Sequence, residues 1–451
     1  MTNLREAIDR YHALLTDEIA RASQEQLDDQ QKRRGLFFGT RPLCTVLRPR
    51  FLTVEQYHNL QRVLRAVMPA FGKAYRAALS RPEIRAQFML NDWEEQLIQF
   101  DPGFRDPSPT SRMDCFYHTD DSRLYLTEYN AEVPAAAGYN GALSEVFEGL
   151  PIMHAFEKEY EVRPLPARHH TLHALLDAYR QWGGNDRPRI AIVDWREVPT
   201  YSEFVIFQDY IRSQGYECVI ADPREVEYQD GKLIAGEFHI TLVYKRVLLS
   251  ELVDRGGLDH PVIRAVKDRA ACMVNPFHCK VLHKKASLAV LSDEQTAHLF
   301  SEAERRAIQT YIPWTRVIRE RHTLYNDERV DLIPFLRDHK DNFVLKPNDE
   351  YGGKGIVLGW TVEQGEWEEA LRASLAEPYI VQQRVMLPSE PYPSYFDGGV
   401  HVIERMLDTD PYIWYGQYVS SCLTRLSTAA LLNVTAGGGS TVPTLLIEKR
   451  E

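Results

Sequence analysis

The spacing of apolar residues divides the chain into a helical first part and a strand-rich remainder. Through residues 1–100 apolar positions return every three or four residues, as in VEQYHNLQRVLRAVMPAFGKAYRAAL, which predicts amphipathic helices. After them, SRMDCFYH and RLYLTEYN flank the polar turn TDDS, which predicts a β-hairpin. We therefore expect a helical N-terminal region, residues 1–100, followed by a segment of residues 101–164 that contains this hairpin.

Between residues 165 and 280 short apolar runs alternate with a helical stretch. RIAIVDW and YECVIAD are predicted as strands, and SEFVIFQDYIRSQG between them as a helix that ends at Gly215. KLIAGE and HITLVYKR are predicted as further strands, with a turn at Asp230 and Gly231. This pattern predicts a small α/β domain. Its first strand is not followed by G-x-G-x-x-G, which argues against a dinucleotide-binding domain.

The second strand of the hairpin ends on polar residues. By the two-residue period of a strand, Leu124, Leu126, Glu128 and Asn130 should share one face. The leucines indicate that this face is buried, and buried polar groups need partners. We therefore expect another element to meet Glu128 and Asn130.

The first strand supplies candidate partners for these two residues. Arg112 and Asp114 share one of its faces, and a turn centred near Asp121 places Asp114 opposite Glu128 and Arg112 opposite Asn130. Two facing carboxylates repel unless a cation lies between them, and carboxylate and amide oxygens suit Mg²⁺. The pattern predicts a magnesium site beside an arginine that binds phosphate. A solvated surface hairpin with a local arginine ion pair is the alternative interpretation.

A glycine-rich loop lies in the last third of the chain, in LKPNDEYGGKGIVLGW. It is not a Walker A loop, because no Ser or Thr follows Lys354 and strands are predicted on both sides, at Phe343–Lys346 and Ile356–Trp360. Its glycines permit positive φ and a close approach of the backbone, so that amide groups can face an anion. We expect a flap over nucleotide phosphates, with a flexible surface turn as the alternative.

Composition limits the partners and the compartment. The formal net charge of -11 argues against a broad nucleic-acid surface. The N-terminus lacks the features of a signal peptide, and no apolar run approaches the roughly 20 residues of a membrane span. Six dispersed cysteines without a C-x-x-C pair predict reduced thiols in the cytoplasm. Cys272, His278, Cys279 and His283 cluster, but their spacing fits no common zinc pattern.

Together these motifs resemble the ATP-grasp superfamily in its circularly permuted form, the arrangement shared by eukaryotic-type glutathione synthetase and glutathionylspermidine synthetase. R-x-D and E-x-N in the hairpin precede K-P-x-x-E-x-G-G in the loop, the reverse of the usual ATP-grasp order. The resemblance implies an α/β protein, more closely an α+β ATP-grasp fold, with a helical N-terminal scaffold. It makes residues 101–164 the metal-binding hairpin segment, 165–280 the substrate-side domain and 281–451 the nucleotide-binding region with its flap.

The resemblance also assigns roles to the residues that match these motifs one by one. The implied Mg²⁺ ligands are Asp114, Glu128, Asn130 and Glu350. The implied ATP-binding residues are Lys285 (or Lys284), Lys346, Gly352, Gly353, Lys354, Gln382, Gln383 and Val385. The implied catalytic residues, which would face the transferred phosphate, are Arg112 and Arg425, with Asn433 in the same closing segment as Arg425.

The function implied by the resemblance is an ATP- and Mg²⁺-dependent carboxylate–amine ligase that forms ADP through an acyl phosphate. Its partners would be a small-molecule carboxylate and amine, without nucleic acid or membrane, and a homodimer is the assembly considered. A catalytically silent nucleotide-binding or scaffold protein and a small-molecule phosphotransferase are the alternatives. Tyr244, Lys245 and Arg246 would meet an anionic substrate, unless they form a solvated strand end.

Overall fold

The computed structural model describes residues 2–350, 352–428 and 439–451. Helices and sheets are mixed along these ranges, which confirms the α/β class predicted from the sequence. None of the described helices has the length and apolar character that a membrane span requires.

The helices and the strands are each numbered in chain order from the N-terminus. The helices are α1 (Leu4–Leu14), α2 (Asp17–Arg34), α3 (Val54–Ser80), α4 (Pro82–Arg85), α5 (Asp92–Leu97), α6 (Ala137–Glu148), α7 (Pro151–Phe156), α8 (Arg168–Trp182), α9 (Tyr201–Ser213), α10 (Leu249–Gly256), α11 (Pro261–Lys267), α12 (Cys279–His283), α13 (Ala286–Ser292), α14 (Glu302–Tyr311), α15 (Leu332–Asp338) and α16 (Gln364–Ala376). The strands are β1 (Phe37–Phe38), β2 (Arg41–Pro42), β3 (Arg50–Thr53), β4 (Thr110–His118), β5 (Arg123–Asn130), β6 (Tyr160–Pro164), β7 (Ile190–Val193), β8 (Cys218–Ala221), β9 (Val226–Gln229), β10 (Lys232–Ala235), β11 (Phe238–Ile240), β12 (Leu242–Lys245), β13 (Cys272–Val274), β14 (Thr315–Val317), β15 (His322–Tyr325), β16 (Glu328–Asp331), β17 (Phe343–Pro347), β18 (Val357–Leu358), β19 (Tyr379–Gln383), β20 (Ser389–Phe396), β21 (Gly399–Leu407), β22 (Asp410–Trp414), β23 (Tyr418–Ser427) and β24 (Ser440–Lys449).

The first hundred residues are mainly helical, as predicted, and α3 is their longest helix. A capping box starts α3, in which Thr53 and Gln56 each accept the other's backbone amide through their side chains. The buried stripe of α3 packs with apolar residues of β4 and β5 in one hydrophobic core. The sequence did not predict β3, which pairs in parallel with β24. Its partner lies at the far end of the chain, so local periodicity gives no sign of this pairing.

The largest sheet joins the hairpin β4–β5 to the C-terminal strands. Its strand order is β20-β21-β23-β22-β4-β5, and β24 pairs with β23, β3 and β6. Because β22 lies antiparallel to β4, with Tyr412 opposite Arg112, the β21–β22 turn and β23 come next to the polar face of the hairpin.

A parallel sheet in the order β13-β12-β7-β8 confirms the strand–helix–strand pattern predicted after residue 165. HITLVYKR is not one strand, however, since β11 belongs to the antiparallel sheet β11-β10-β9 and β12 to the parallel sheet. The two strands are separated at Thr241, whose amide donates to the Arg189 carbonyl at 3.0 Å. Apolar residues lie on both sides of Thr241, so the sequence pattern does not locate the end of one strand and the start of the next.

A fourth sheet, β14-β19-β17-β18, carries three of the predicted nucleotide-binding residues, Lys346, Gln382 and Gln383. In it β17 and β19 lie side by side, with Lys346 opposite Ile380. The strand predicted at Ile356–Trp360 is shorter, because β18 ends at Leu358 and a 3-10 turn follows. A side chain at Gly359 would collide with the Lys340 carbonyl, so the turn requires glycine.

Candidate functional site

The polar ends of β4 and β5 pair in the predicted register. Asp114 lies opposite Glu128 and Arg112 lies opposite Asn130. Directly opposed residues of an antiparallel pair have neighbouring side chains on the same face. The hairpin therefore brings the two predicted carboxylates together.

The predicted common face for both leucines and both polar residues was wrong. A β-bulge at Thr127 shifts the register, so that Cys115 pairs with Leu126 instead of Thr127. Leu124 and Leu126 consequently lie with Cys115 in the hydrophobic core, on the face opposite Glu128. A bulge switches the face on which the following side chains lie. It leaves no mark in the residue pattern, so the sequence did not reveal it.

Asp114 is held by both predicted catalytic arginines. Its Oδ1 accepts from Arg112 Nε at 2.8 Å and Asn130 Nδ2 at 2.8 Å, and its Oδ2 accepts from Arg112 Nη2 at 3.1 Å and Arg425 Nη2 at 2.7 Å. Burial raises the pKa of Asp114, but the two guanidinium groups outweigh burial and lower this pKa to about 2. The Asp114 carboxylate is therefore ionised at neutral pH and accepts four hydrogen bonds.

Glu128 lies beside a lysine. Lys285 Nζ is 3.2 Å from Glu128 Oε1. Burial acts to raise the pKa of Glu128, but Lys285 makes the largest opposing contribution, and the pKa falls below its ordinary value. Lys284, the alternative nucleotide lysine, instead pairs with Glu94 and Asp349, each at 2.8 Å. Of the two lysines, the structure places Lys285 at the hairpin.

Lys346 projects from β17 toward the same face. Its Nζ donates to Gln382 Oε1 at 2.7 Å and to the Thr127 carbonyl at 3.4 Å. Burial lowers the pKa of Lys346 from 10.5 to about 8, and this fall exceeds the opposing effect of Glu128. A cavity of about 140 Å³ opens between these groups. The predicted site residues that line it are Asp114, Glu128, Lys346, Gln382, Gln383, Val385 and Arg425.

The glycine loop comes just before Ile356, which lines this cavity, whereas Gly352, Gly353 and Lys354 are not among the lining residues. Gly352 and Gly353 have φ of 66° and 78°, the conformation that the sequence predicted for them. Lys354 forms an exposed ion pair with Glu350 at 3.1 Å. The Glu350 carboxylate, predicted as a metal ligand, is therefore directed at Lys354 and does not join the hairpin carboxylates. The Glu350 carbonyl accepts from Lys285 Nζ at 2.7 Å, which ties the stem of the loop to the site.

Two carboxylates that were not predicted from the sequence surround Arg425. Asp408 Oδ2 accepts from Arg425 Nε at 2.7 Å, and Asp410 Oδ2 lies 3.0 Å from Arg425 Nη2. Burial, together with the neighbouring carboxylates, raises the pKa of Asp410 well above its ordinary value. In the sequence LDTDPY these residues have the composition of a turn, which conceals their role. Asn433 lies outside the described residues.

A second set of charges, buried except for the half-buried Asp349, lies beside the stem of the loop, and we call it the lysine cluster. Its members are Lys245, Lys280, Lys284, Glu94, Glu132 and Asp349. Glu132 accepts from Lys245 at 3.2 Å and from Lys280 at 3.0 Å, and Lys280 also donates to Asp349 at 2.7 Å. The alternative of a solvated strand end was wrong for β12, because Lys245 is buried and Arg246 forms a buried ion pair with Glu203 at 3.0 Å.

Glu132 and Asp349 also converge on His283, whose Nε2 is 3.7 Å and 3.9 Å from their nearest oxygens. Within the described ranges this is the one group of three His, Cys, Asp or Glu side chains close enough together to hold a metal ion. The ammonium group of Lys280 already contacts both carboxylates, so the cluster contains its own cation. Burial lowers the pKa of His283 to about 4, and its imidazole is neutral at pH 7.

The hairpin face fits a hard divalent cation. Its potential ligands are oxygens from Glu128, Asp114 and Asn130, the donor type that Mg²⁺ prefers. Asp114 already accepts four hydrogen bonds, whereas Glu128 contacts one ammonium group among the described residues. Glu128 is therefore the carboxylate best placed to turn toward a cation.

Comparison with known proteins identifies the fold. No family model matches the chain. Over 286 residues it is 22% identical to a protein named glutamate–cysteine ligase 2-2 from Frankia casuarinae, a match covering 60% of this chain and 31% of that protein. The chain thus spans about a third of the length of this relative.

Among solved structures, the apo form of a glutathione synthetase-like effector from Globodera pallida has a TM-score of 0.56 at 12% identity. That likeness covers 95% of this chain and 97% of the other. A protein named gamma-glutamylcysteine synthetase from Methylobacillus flagellatus has a TM-score of 0.45 at 12% identity, covering 83% and 87% of the two chains. The first likeness shows that the chain shares the fold of the Globodera protein.

Proposed function

We propose that the chain is an ATP- and Mg²⁺-dependent carboxylate–amine ligase of the circularly permuted ATP-grasp type. The observation that carries this proposal is the meeting of the opposed carboxylates, Asp114 and Glu128, with Lys346 at one cavity, while Lys285 lies 3.2 Å from Glu128. The hairpin precedes the lysine strand along the chain, which supports the permuted order. The name of the Frankia relative and the fold shared with the Globodera protein also support a ligase.

In the proposed reaction a substrate carboxylate oxygen attacks the γ-phosphorus of ATP, the bond to the bridging oxygen breaks, and ADP leaves. The amine nitrogen then attacks the carbonyl carbon of the acyl phosphate, loses a proton and expels inorganic phosphate. Mg²⁺, when bound, would neutralise phosphate charge. Arg112 and Arg425, fixed on Asp114, would present donors to the charge that develops on the transferred group.

The two lysines and the glycine loop would complete the site. Lys285 and Lys346 would place positive charge beside the phosphates, and backbone amides of the loop would cover them. Closure of the loop would exclude water, which otherwise hydrolyses an acyl phosphate. Binding and phosphoryl transfer require no covalent enzyme nucleophile.

A screen for ADP release tests the proposed function. Purified protein with ATP and Mg²⁺ is supplied with pairs of acids and amines drawn from amino acids, γ-glutamyl peptides and polyamines. We expect ADP release that depends on both members of a pair, with an amide product identified by mass spectrometry. A phosphorylated small molecule without ligation would indicate a phosphotransferase instead, and nucleotide binding without any turnover would indicate a silent binding protein.

Nucleotide binding is expected to take up a proton near pH 8. Lys346, with its pKa lowered to about 8, is roughly half neutral at that pH, and a bound phosphate favours the ammonium form. We expect an uptake of about 0.5 proton at pH 8 and an affinity that declines above this pH, by at most about tenfold per unit. Calorimetric titration with a non-hydrolysable ATP analogue in two buffers of different ionisation enthalpy measures the uptake.

Lys346→Met is expected to remove this proton uptake, and the exposed Lys354→Met, which leaves Lys346 in place, is expected to retain it. Equal heats in the two buffers for the wild-type protein would show that Lys346 does not change its protonation when the nucleotide binds.

A further inference from the structure

Asp408 and Arg425 are joined by three hydrogen bonds. Asp408 Oδ1 accepts from the Arg425 backbone amide at 2.8 Å, and Oδ2 accepts from Nε at 2.7 Å. The Asp408 amide donates in turn to the Arg425 carbonyl at 3.2 Å. One carboxylate thus fixes both the main chain and the side chain of Arg425, and it ties the β21–β22 turn to β23.

The fixed guanidinium group is directed at the candidate site. Its Nη2 donates to Asp114 at 2.7 Å and lies 3.0 Å from Asp410 Oδ2. Its Nη1 makes no hydrogen bond with a residue of the described ranges, and the Arg425 side chain, 22% exposed, lines the cavity. Asp408 is only 1% exposed, and both of its oxygens are engaged by Arg425. Arg425 is therefore the member of the pair with a donor left for a ligand.

The surrounding charges explain why Arg425 needs Asp408 to fix its orientation. Asp114, Asp408 and Asp410 all lie within 3.0 Å of Arg425 nitrogens, so the guanidinium group has several competing partners. An arginine side chain also has many rotamers, and loss of the Nε bond would let the group turn toward another carboxylate. Bonding of Nε to Asp408 selects the orientation in which Nη2 meets Asp114.

We propose that Asp408 is a positioning residue for the ligase reaction, a role that rests on the function proposed above. It fixes Arg425 so that Nη1 is presented to the transferred phosphoryl group while Nη2 remains on Asp114. Asp408 also borders the cavity, but both of its oxygens are engaged by Arg425, so its effect on the reaction passes through Arg425. This predicts a specific pattern of kinetics in variants of the two residues.

Asp408→Asn keeps the shape of the side chain but replaces one accepting oxygen with a donor. We expect kcat for ADP formation to fall about 10- to 100-fold, the usual effect of a misplaced catalytic group, with the KM for ATP changed by less than about threefold. In Arg425→Gln, kcat is expected to fall by at least the same factor. In the variant that combines both changes, kcat should equal that of Arg425→Gln alone, because Asp408 has then nothing to position. Multiplied losses in the combined variant would overturn the proposal, as would a wild-type kcat for Asp408→Asn.

Asp397→Asn is the matched control, since it makes the same chemical change in the exposed β20–β21 turn and should leave kcat unaltered.

A second measurement needs no substrate. It is NMR of protein labelled with ¹⁵N-arginine, with the Arg425 Nε–H signal assigned by its loss in Arg425→Gln. In Asp408→Asn this signal should shift and exchange faster with water, and an unchanged signal would contradict the proposed hold. If no acid and amine pair releases ADP with the wild-type protein, the ligase function fails on its own, whatever the NMR signal shows.

Discussion

Glu128→Gln is expected to lower the rate of Mg²⁺-dependent ADP formation about 10²- to 10³-fold, because metal stabilisation of transition-state charge is worth several kcal/mol. Glutamine keeps the volume of the side chain but removes the charge that would bind the cation. The Asp114–arginine contacts do not involve Glu128 and should keep the hairpin folded. Initial rates at saturating ATP and increasing Mg²⁺, with a substrate pair from the ADP screen, measure the effect. Asn130→Ala is expected to act in the same direction.

Asp120→Asn is the control for this experiment, since it changes an exposed carboxylate in the turn of the same hairpin. Circular dichroism should show the same secondary structure in all variants. Full turnover by Glu128→Gln or by Asn130→Ala would mean that the face formed by Asp114, Glu128 and Asn130 does not bind the catalytic cation.

Glu132→Gln is expected to destabilise the protein by about 3–5 kcal/mol, the usual cost of removing one partner from a buried ion pair. Glu132 is buried and accepts hydrogen bonds from Lys245, Lys280 and the Leu249 amide. A neutral residue therefore leaves the buried Lys245 ammonium group without its carboxylate and Lys280 with one carboxylate fewer. Chemical denaturation, followed at the first unfolding transition, measures the loss. Glu237→Gln makes the same change on the surface and should be neutral.

The combined variant Glu132→Gln/Lys245→Met should be more stable than the sum of its two single changes indicates, because the ammonium group that loses its carboxylate is removed along with it. Strict additivity would show that the lysine cluster does not act as one electrostatic unit.

The lysine cluster also determines how stability changes in acid. Burial raises the pKa of Asp349, but Lys280 and Lys284 outweigh it and lower the pKa to about 2 from 3.8. A carboxyl with a lowered folded-state pKa stabilises the fold above its unfolded pKa, and this contribution is lost as the pH falls from about 4 toward 2. Glu132 has its pKa lowered well below its ordinary value and acts in the same direction. Glu132→Gln should accordingly weaken the dependence of the unfolding midpoint on pH below 4.

The parts of the site that were predicted are those that short stretches of sequence specify. The opposition of Asp114 to Glu128 follows from a hairpin with a polar turn, and the positive φ of the loop follows from its glycines. The Lys346 strand and its neighbour β19 follow from apolar runs that end in polar residues. Each of these inferences depends on contacts within one or two neighbouring elements.

The parts that were missed depend on contacts between distant segments. Asp408 and Asp410 matter because β22 lies beside β4, about three hundred residues away in sequence, and nothing in LDTDPY indicates that neighbour. Glu132 belongs to the lysine cluster because α12 and the stem of the loop pack against the end of β5. A charged residue in a loop is usually solvated, so burial of these groups becomes visible only when the sheets are assembled.

The bulge at Thr127 has a consequence for how this hairpin tolerates insertions and deletions. Loss of one residue there would restore a regular ladder, but it would then bring Glu128 and Asn130 to the hydrophobic side, or Leu124 and Leu126 to the polar side. Substitutions along β5 alter one side chain at a time, whereas a single-residue deletion would exchange the roles of a whole half-strand. Thr127 can therefore vary in identity more freely than it can be lost, and length should be the more constrained property of this strand during evolution.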